Sequence, residues 1–472
     1  MVKVRKPNDI LRYGYRYLLS YPKMILPFMI YEAGVIVGQA VIVIAFLSLL
    51  SYFKAFNLIP KIVESIEARN FEALALPEIM QPILITLGIA GIAYMLIIIV
   101  FDSFVKAGLY PFLQKVLIER EVSTKYFLEE AFRNWALVFK TNMLIYFFAA
   151  IPLIPSLTLF YLSFEKIIAG SIEELGFSAL TFIAGIFLAL IIYLALVFAP
   201  MAASIDENPP LQSIIRSILM AKTEVGAIIL YFSALVAVTL VAIAVESAVE
   251  SFYVTLGSLV SIVISLAINP ILHLYLVAVY ETHNNETLLE PLKARLTFKL
   301  MYTTLNKGLK LIRMFFTTKY GLIALTVTFT VFLIGFTLGY LTVDPEIRSI
   351  LINSGIIVPG RLNPEFKVYN RIFLGLDIFF HNWRTSLSTA MSGIVYAIPS
   401  TISTLFNGYV IGVVYATIND PIKASAIILP HGILEIPAFL LASASGVLLG
   451  FKMIMFRRGK VSLEEVTIDL ER

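Results

Sequence analysis

The chain has 472 residues, of which 59% are hydrophobic and 14% are charged, and its formal net charge is +4. Soluble domains average about 25% charged residues, so this composition excludes an ordinary soluble globular protein. Apolar runs of roughly 20 residues recur, which is the length that crosses the hydrocarbon core of a bilayer. The runs do not alternate with period two as barrel strands do. The composition therefore predicts an all-α polytopic membrane protein.

The chain contains no cysteine. This excludes a disulfide framework, thiol catalysis and thiolate metal sites within it.

The apolar runs predict about ten transmembrane helices, together with amphipathic interfacial helices. Segments 372–398 and 424–440 leave two interpretations open, a full crossing and a re-entrant segment, because Pro399, Pro421 and Pro430 break the apolar pattern in this part of the chain. The predicted spans are Met24–Phe53, Pro82–Phe101, Asn142–Ser163, Gly176–Pro200, Val225–Val245, Tyr253–Tyr280, Tyr320–Val343, Ile372–Ile398, Thr401–Thr417 and His431–Phe456.

Lysine and arginine cluster before the first span, after the second and sixth spans, and at the C-terminus. The alternate loops are short or acidic, as in 165–174 and 246–250. Since basic residues are enriched on the cytoplasmic side, we expect both termini in the cytoplasm, which an even number of spans allows. The predicted localisation is the cell membrane, as a multi-pass protein.

We predict two membrane domains. Residues 1–290 form a six-span domain, 291–319 a basic cytoplasmic amphipathic linker, 320–458 a second membrane domain with an extracytoplasmic segment 344–371, and 459–472 a cytoplasmic tail. The first domain reads as three repeats, each with an interfacial helix followed by a two-span hairpin. The alternative interpretation is that any cytoplasmic helix before a span carries basic residues.

Basic side chains on these interfacial and linker helices are predicted to face anionic lipid headgroups. The alternative is that they only mark the cytoplasmic side. The bilayer is the predicted partner, further membrane proteins and a homodimer are candidates, and nucleic acid is not expected. The predicted lipid-facing residues are Arg16, Arg133, Arg216, Lys307, Lys310 and Arg313.

Polar residues in the last three spans are predicted to meet in one intramembrane centre, because polar groups in lipid need partners. Arg384 needs a carboxylate if it is buried, and Glu435 or Asp377 are the expected partners. The predicted members of the centre are Asp377, His381, Asn382, Arg384, Asn407, His431 and Glu435.

His431 and Glu435 stand four residues apart, so a continuous helix places them on one face. This spacing suits two ligands of one divalent metal, or a histidine oriented by a carboxylate. Pro430 removes a backbone donor and Gly432 loosens the turn, which predicts a broken helix at this point. A divalent metal at His431 and Glu435 is the only cofactor that the residues suggest.

Three functions remain open for this centre. A scaffold predicts a closed polar network without a cavity, a transporter or lipid-handling protein predicts a cavity bordered by His431 and Glu435, and a metal-dependent enzyme predicts a bound ion. We favour a non-enzymatic protein, because the chain has no convincing nucleophile–base set, no H-E-x-x-H motif and no glycine-rich phosphate loop.

The C-terminal third resembles the stage II sporulation protein M (SpoIIM) family over about residues 320–458. The resemblance rests on His381-Asn382-Trp383-Arg384, then Asn407-Gly408, then Pro430-His431-Gly432 with Glu435, and a final span rich in small residues. In sporulating bacteria the family's namesake is a membrane member of an engulfment complex with two peptidoglycan-degrading partners. The resemblance thus implies a membrane scaffold and not an enzyme, although the first 300 residues lie outside it.

Overall fold

The computed structural model describes residues 6–58, 60–62, 65, 76–168, 172–250, 260, 263–284, 286–291, 306, 308–310, 312–313, 315–345, 347–348, 352 and 368–471. The regular structure of these residues is entirely helical, without a strand. This confirms the predicted all-α class.

The N-terminal half contains ten described helices. A 3₁₀ turn (Pro22–Ile25) precedes the second helix and a π-helical turn (Ile264–Ile268) precedes the tenth. The helices are α1 (Pro7–Ser20), α2 (Leu26–Ala55), α3 (Pro77–Ile118), α4 (Thr124–Ala150), α5 (Leu153–Ile168), α6 (Ile172–Ala195), α7 (Ala199–Ser204), α8 (Pro210–Thr223), α9 (Val225–Glu250) and α10 (Asn269–His283).

The C-terminal part contributes five more helices to the described structure. A 3₁₀ turn (Ser392–Ile394) lies in the short connection between the second and third of them. The helices are α11 (Lys319–Thr342), α12 (Val368–Met391), α13 (Ile398–Ile418), α14 (Pro421–Arg457) and α15 (Leu463–Glu471).

By length and composition, seven helical segments of the described chain can cross a membrane, and α4 with α5, bent by 51°, would make an eighth. Part of the predicted span Tyr253–Tyr280 lies outside the described residues. The total of ten spans and the side on which the termini lie stay predictions. The seven segments are Pro22–Ala55, Pro77–Ile118, Ile172–Ser204, Val225–Val245, Lys319–Thr342, Ile398–Ile418 and Gly432–Arg457.

Helix α14 is continuous from Pro421 to Arg457, so the predicted break at Pro430 is wrong. Asp420 caps its N-terminus by accepting hydrogen bonds from the backbone N–H groups of Ile422 and Lys423, both at 3.1 Å. A proline inside a helix removes one backbone hydrogen bond, and a long membrane helix with packed neighbours can tolerate that loss. The segment 424–440 is accordingly helical throughout and contains no re-entrant turn.

The core of the N-terminal half consists of the C-terminal part of α3, together with α7 and α10. Tyr110 on α3, Phe198 directly before α7 and Tyr275 on α10 are all almost completely buried. Amphipathic α1 lies against α10, and the Tyr17 hydroxyl donates to the carbonyl oxygen of Leu289 at 2.6 Å. Helix α3 therefore continues well past the predicted span end at Phe101, because its C-terminal part is a core segment and not a loop.

Helices α11 and α13 are in close backbone contact at two pairs of glycines, one pair on each helix. Gly335 and Gly339 on α11 lie against the backbone of α13, while Gly408 and Gly412 on α13 lie against the backbone of α11. A Cβ atom at any of these four positions would collide with the partner's main chain. Small residues four apart let two membrane helices approach this closely, and van der Waals contact then stabilises the pair.

The small residues of α14 also pack inside the chain. Gly446 lies against Gly393 in the turn between α12 and α13, and Gly450 lies against Ala397 in the same turn. Ala397 has a left-handed φ of 64°. This face of α14 is thus covered within the chain, and the predicted homodimer remains untested.

Glu281 is a buried acid at the end of α10, beyond the predicted span Tyr253–Tyr280. Its side chain is 1% exposed and accepts one hydrogen bond from Gln114 Nε2 at 3.1 Å. Burial raises the pKa of the Glu281 carboxyl to about 7, from a usual 4.5. An acid whose pKa is higher in the folded protein makes folding less favourable as pH rises from 4.5 through 7, because the folded state must ionise it at a cost.

Glu281→Gln should therefore stabilise the protein at pH 8 by up to about 3 kcal/mol, since the amide keeps an acceptor for Gln114 and never ionises. The gain should shrink through the window from pH 7 to 4.5 and vanish below it. Thermal unfolding of both proteins at pH 5 and pH 8 measures this. The exposed Glu464→Gln on α15 serves as the matched control, and an equal gain of Glu281→Gln at both pH values would contradict the assignment.

Candidate functional site

A cavity of about 210 Å³ lies among α11, α12, α13 and α14. Its walls are mostly apolar, and four polar side chains face it: Asn382, Thr385, Asn407 and Glu435. Gly432, one of the family-marker residues, also lines it. The structure thus brings Asn382, Asn407 and Glu435 together from three separate helices.

Glu435 is the one carboxylate among the residues lining this cavity. Asn382 Nδ2 donates to Glu435 Oε2 at 2.6 Å, which fixes the orientation of the carboxylate. The amide group of Asn407 donates to the carbonyl oxygen of Ser403 at 2.9 Å, so its own oxygen remains as an acceptor. The ion pairs among the described residues do not include Glu435. A carboxylate that faces a mostly apolar cavity is stabilised by a cationic ligand.

Arg384 has a different partner from the two predicted. Its guanidinium group pairs with Glu32 on α2, in the N-terminal half of the chain. Glu32 is 8% exposed, so the pair is largely removed from solvent. Pairing with Glu435 is not among the ion pairs of the described side chains, and pairing with Asp377 stays a prediction because that side chain lies outside them. Glu32 was not expected, since α2 packs against α12 and α13 across 352 positions of sequence.

The remaining predicted members of the centre do not line the cavity in the described structure. His381 is exposed on α12. The side chains of Asp377 and His431 lie outside the described residues. Of the seven residues predicted to meet, three line the cavity and a fourth, Arg384, contacts the other half of the chain.

The described side chains do not make a divalent-metal site. They contain no group of three or more histidine, aspartate or glutamate residues placed to hold an ion. The Asn382 amide directs an N–H donor at Glu435 Oε2. The side chain of His431 lies outside the described residues, so a divalent metal at His431 and Glu435 stays a prediction.

Two of the arginines predicted to face lipid are engaged with acidic side chains. Arg133 Nη2 lies 2.6 Å from Glu130 Oε2 and 2.8 Å from Glu207 Oε1. Arg216 Nε lies 3.2 Å from Asp206 Oδ2. These ion pairs connect α4 and α8 to the segment that follows α7.

The other predicted lipid-facing residues are more open. Arg16 lies over the rings of Tyr13 and Tyr15 on the exposed face of α1. Lys310 and Arg313 are exposed, whereas Lys307 lies outside the described residues. Contact of any of these residues with lipid headgroups stays a prediction.

Sequence reasoning missed a buried hydroxyl network beside the cavity. Thr389 and Ser403 share a hydrogen bond of 2.8 Å, and Ser400 Oγ donates to the Thr389 carbonyl oxygen at 2.7 Å. Serine and threonine recurring at helical spacing would have indicated it. The network links α12, α13 and α14 through Thr389, Ser392, Ser400, Ser403, Thr404 and Ser443.

Comparison with known proteins supports the resemblance found in the sequence. Residues 297–469 match the family model described as stage II sporulation protein M. The chain is similar to an uncharacterized protein of Methanocaldococcus jannaschii, with 28% identity over 145 residues, which cover 28% of this chain and 72% of the relative. No solved structure matches the chain. The C-terminal part of the chain thus carries the match to the stage II sporulation protein M family that the polar motifs and the small-residue span predicted.

Proposed function

We propose that this chain is a multi-pass protein of the cell membrane that acts as a non-enzymatic, transporter-like module and binds a small monovalent cation in its C-terminal cavity. The observation that carries this proposal is Glu435, a carboxylate facing a cavity with Asn382 as its hydrogen-bond donor. The cavity has room for about seven waters, so a hydrated alkali ion or a small amine fits it.

The wall chemistry supports a cationic ligand. Thr385 contributes a hydroxyl oxygen and Asn407 an amide oxygen to the same cavity wall as the Glu435 carboxylate. Both oxygen atoms have lone pairs that can coordinate a cation. The surrounding apolar side chains lower the local dielectric constant, which strengthens the attraction of Glu435 for a positive charge. Among the described residues, no basic side chain lines the cavity.

We also propose that both termini lie in the cytoplasm with ten spans between them. Lys54, at the end of α2, pairs with Asp344, which follows α11. Arg348 Nε donates to the Thr417 carbonyl oxygen at 2.8 Å at the end of α13. These contacts place the ends of α2, α11 and α13 on one face of the protein, as the proposed topology requires.

Glu435→Gln should weaken cation binding at least tenfold, because the amide loses the charge but keeps nearly the same shape. Trp383 is adjacent to Asn382, and the chain has only two tryptophans. A Trp135→Phe background therefore makes Trp383 fluorescence a local reporter. We expect a saturable signal when the full chain in detergent is titrated with K⁺, Na⁺ or methylammonium at constant ionic strength.

The exposed Glu464→Gln, in the same background, is the matched control and should bind as the parent does. Equal titrations of the parent and Glu435→Gln would reject the cavity as a cation site. A scaffold, the second candidate, would then be favoured, since the Glu32–Arg384 pair joins the two halves of the chain into one packed body.

A further inference from the structure

A second polar centre lies in the N-terminal half, apart from the cavity at Glu435. Lys106 on α3 is 8% exposed, and its Nζ lies 2.7 Å from Asp102 Oδ2. Asn142 on α4 donates to the same Asp102 oxygen at 3.2 Å and to Ser103 Oγ at 2.9 Å. A buried cation inside a membrane helix bundle is costly and commonly marks a site.

A small cavity of about 20 Å³ adjoins this lysine. Such a volume holds about one water or one ion of similar size. Its wall is rich in hydrogen-bonding side chains that come from five helices or their ends. The polar lining residues are Lys106, Tyr110, Asn142, Tyr146, Tyr193, Tyr231 and His273.

The groups on this wall are mainly donors. Asp102 does not line the cavity. It accepts one of the three N–H donors of the Lys106 ammonium group, which leaves two for other partners. The four phenol hydroxyls can each donate one hydrogen bond into the cavity. His273 Nδ1 is buried and has no hydrogen-bond partner among the described residues, while its ring lies against Phe28 and Tyr110.

We propose that this cavity is a binding site for one small monovalent anion of halide size. An ammonium group and several hydroxyl donors around a volume of one small ion suit a compact acceptor. The lining holds no carboxylate, and Lys106 repels a cation, so a metal ion does not fit. A larger anion such as phosphate does not fit the volume.

The test is thermal unfolding of the full chain in detergent, in bromide and in gluconate at the same ionic strength. Gluconate is too large for the cavity. A ligand that binds only the folded state raises the unfolding midpoint with its concentration, so we expect a saturable rise of a few °C in bromide. Tyr193→Phe and His273→Phe keep the rings and remove polar atoms from the wall, and each should abolish most of the rise.

Tyr161→Phe is the matched control, since Tyr161 is 78% exposed and lies outside the wall. It should keep the full rise, which also removes any general salt effect from the comparison. Coincident bromide and gluconate curves for the unmodified chain would overturn the proposal and leave a cavity for water only. A rise that survives both wall variants would place the halide elsewhere and overturn it equally. Neither result bears on the cation site, because Glu435 belongs to a different cavity.

Discussion

Gly335→Leu should lower the free energy of unfolding by more than about 4 kcal/mol, because the new side chain cannot be accommodated between α11 and α13. A Cβ at Gly335 meets the carbonyl oxygen of Leu405, a backbone atom that cannot turn aside. The helices must separate, which also removes the contacts of Gly339, Gly408 and Gly412. Thermal or denaturant unfolding of the purified full chain measures the loss.

Gly88→Leu is the matched control, since it makes the same substitution on the membrane helix α3. A Cβ there has no atom within 4 Å, so the leucine should change stability by less than about 1 kcal/mol. Similar unfolding of the two variants would show that α11 and α13 do not cross through these glycines. A Gly335→Ala variant should lie between them, because one methyl group forces a smaller separation.

Arg384→Met should destabilise the protein by about 3 kcal/mol, because it removes the guanidinium group that pairs with the largely buried Glu32 carboxylate. Methionine preserves much of the aliphatic length of arginine, so the loss reports mainly the charge. Because Glu32 and Arg384 belong to different halves of the chain, the effect should appear as loosened contact between α2 and α12. Limited proteolysis of the full chain, together with thermal unfolding, measures it.

A double-mutant cycle separates the pair from its surroundings. Glu32→Gln with Arg384→Met should recover part of the stability lost in Arg384→Met alone, because no uncompensated charge remains. Additive losses in the double variant would argue that Glu32 and Arg384 do not interact. His381→Met, at an exposed position on the same helix, is the control and should have little effect.

The local features of the chain were readable from the sequence because they depend on short spacings. Roughly 20 consecutive apolar residues identify a membrane helix. Most predicted spans lie on helices of the described structure, whereas Asn142–Ser163 is divided between α4 and α5 and Ile372–Ile398 runs past the end of α12. Motifs around Asn382, Asn407 and Glu435 were sufficient to identify the family of the C-terminal part. The sequence also predicted that these residues lie at one cavity, since polar side chains within a membrane are stabilised by pairing with each other.

The prediction of a helix break at Pro430 was wrong because the effect of a proline depends on the packing around the helix. A proline always removes one backbone donor, but the remaining hydrogen bonds of α14 and the helices packed against it decide whether the helix continues. Lys106 is a second residue whose position depended on its packed neighbours and not on its own residue type. It belongs to the basic cluster after the second predicted span, which was expected on the cytoplasmic side, whereas Asp102 one turn earlier and Asn142 from α4 allow it to remain in the interior.

By itself the sequence determined the helical membrane class and the family of the C-terminal part, and it singled out three of the four polar residues that line the cavity. These follow from hydrophobic length and from residue types at fixed local spacing. Only the tertiary structure decided that Arg384 pairs with Glu32, that glycines join α11 to α13, and that Lys106 meets His273 and four tyrosines. Each of those contacts joins helices distant in sequence, and their partners are set by how the helices pack.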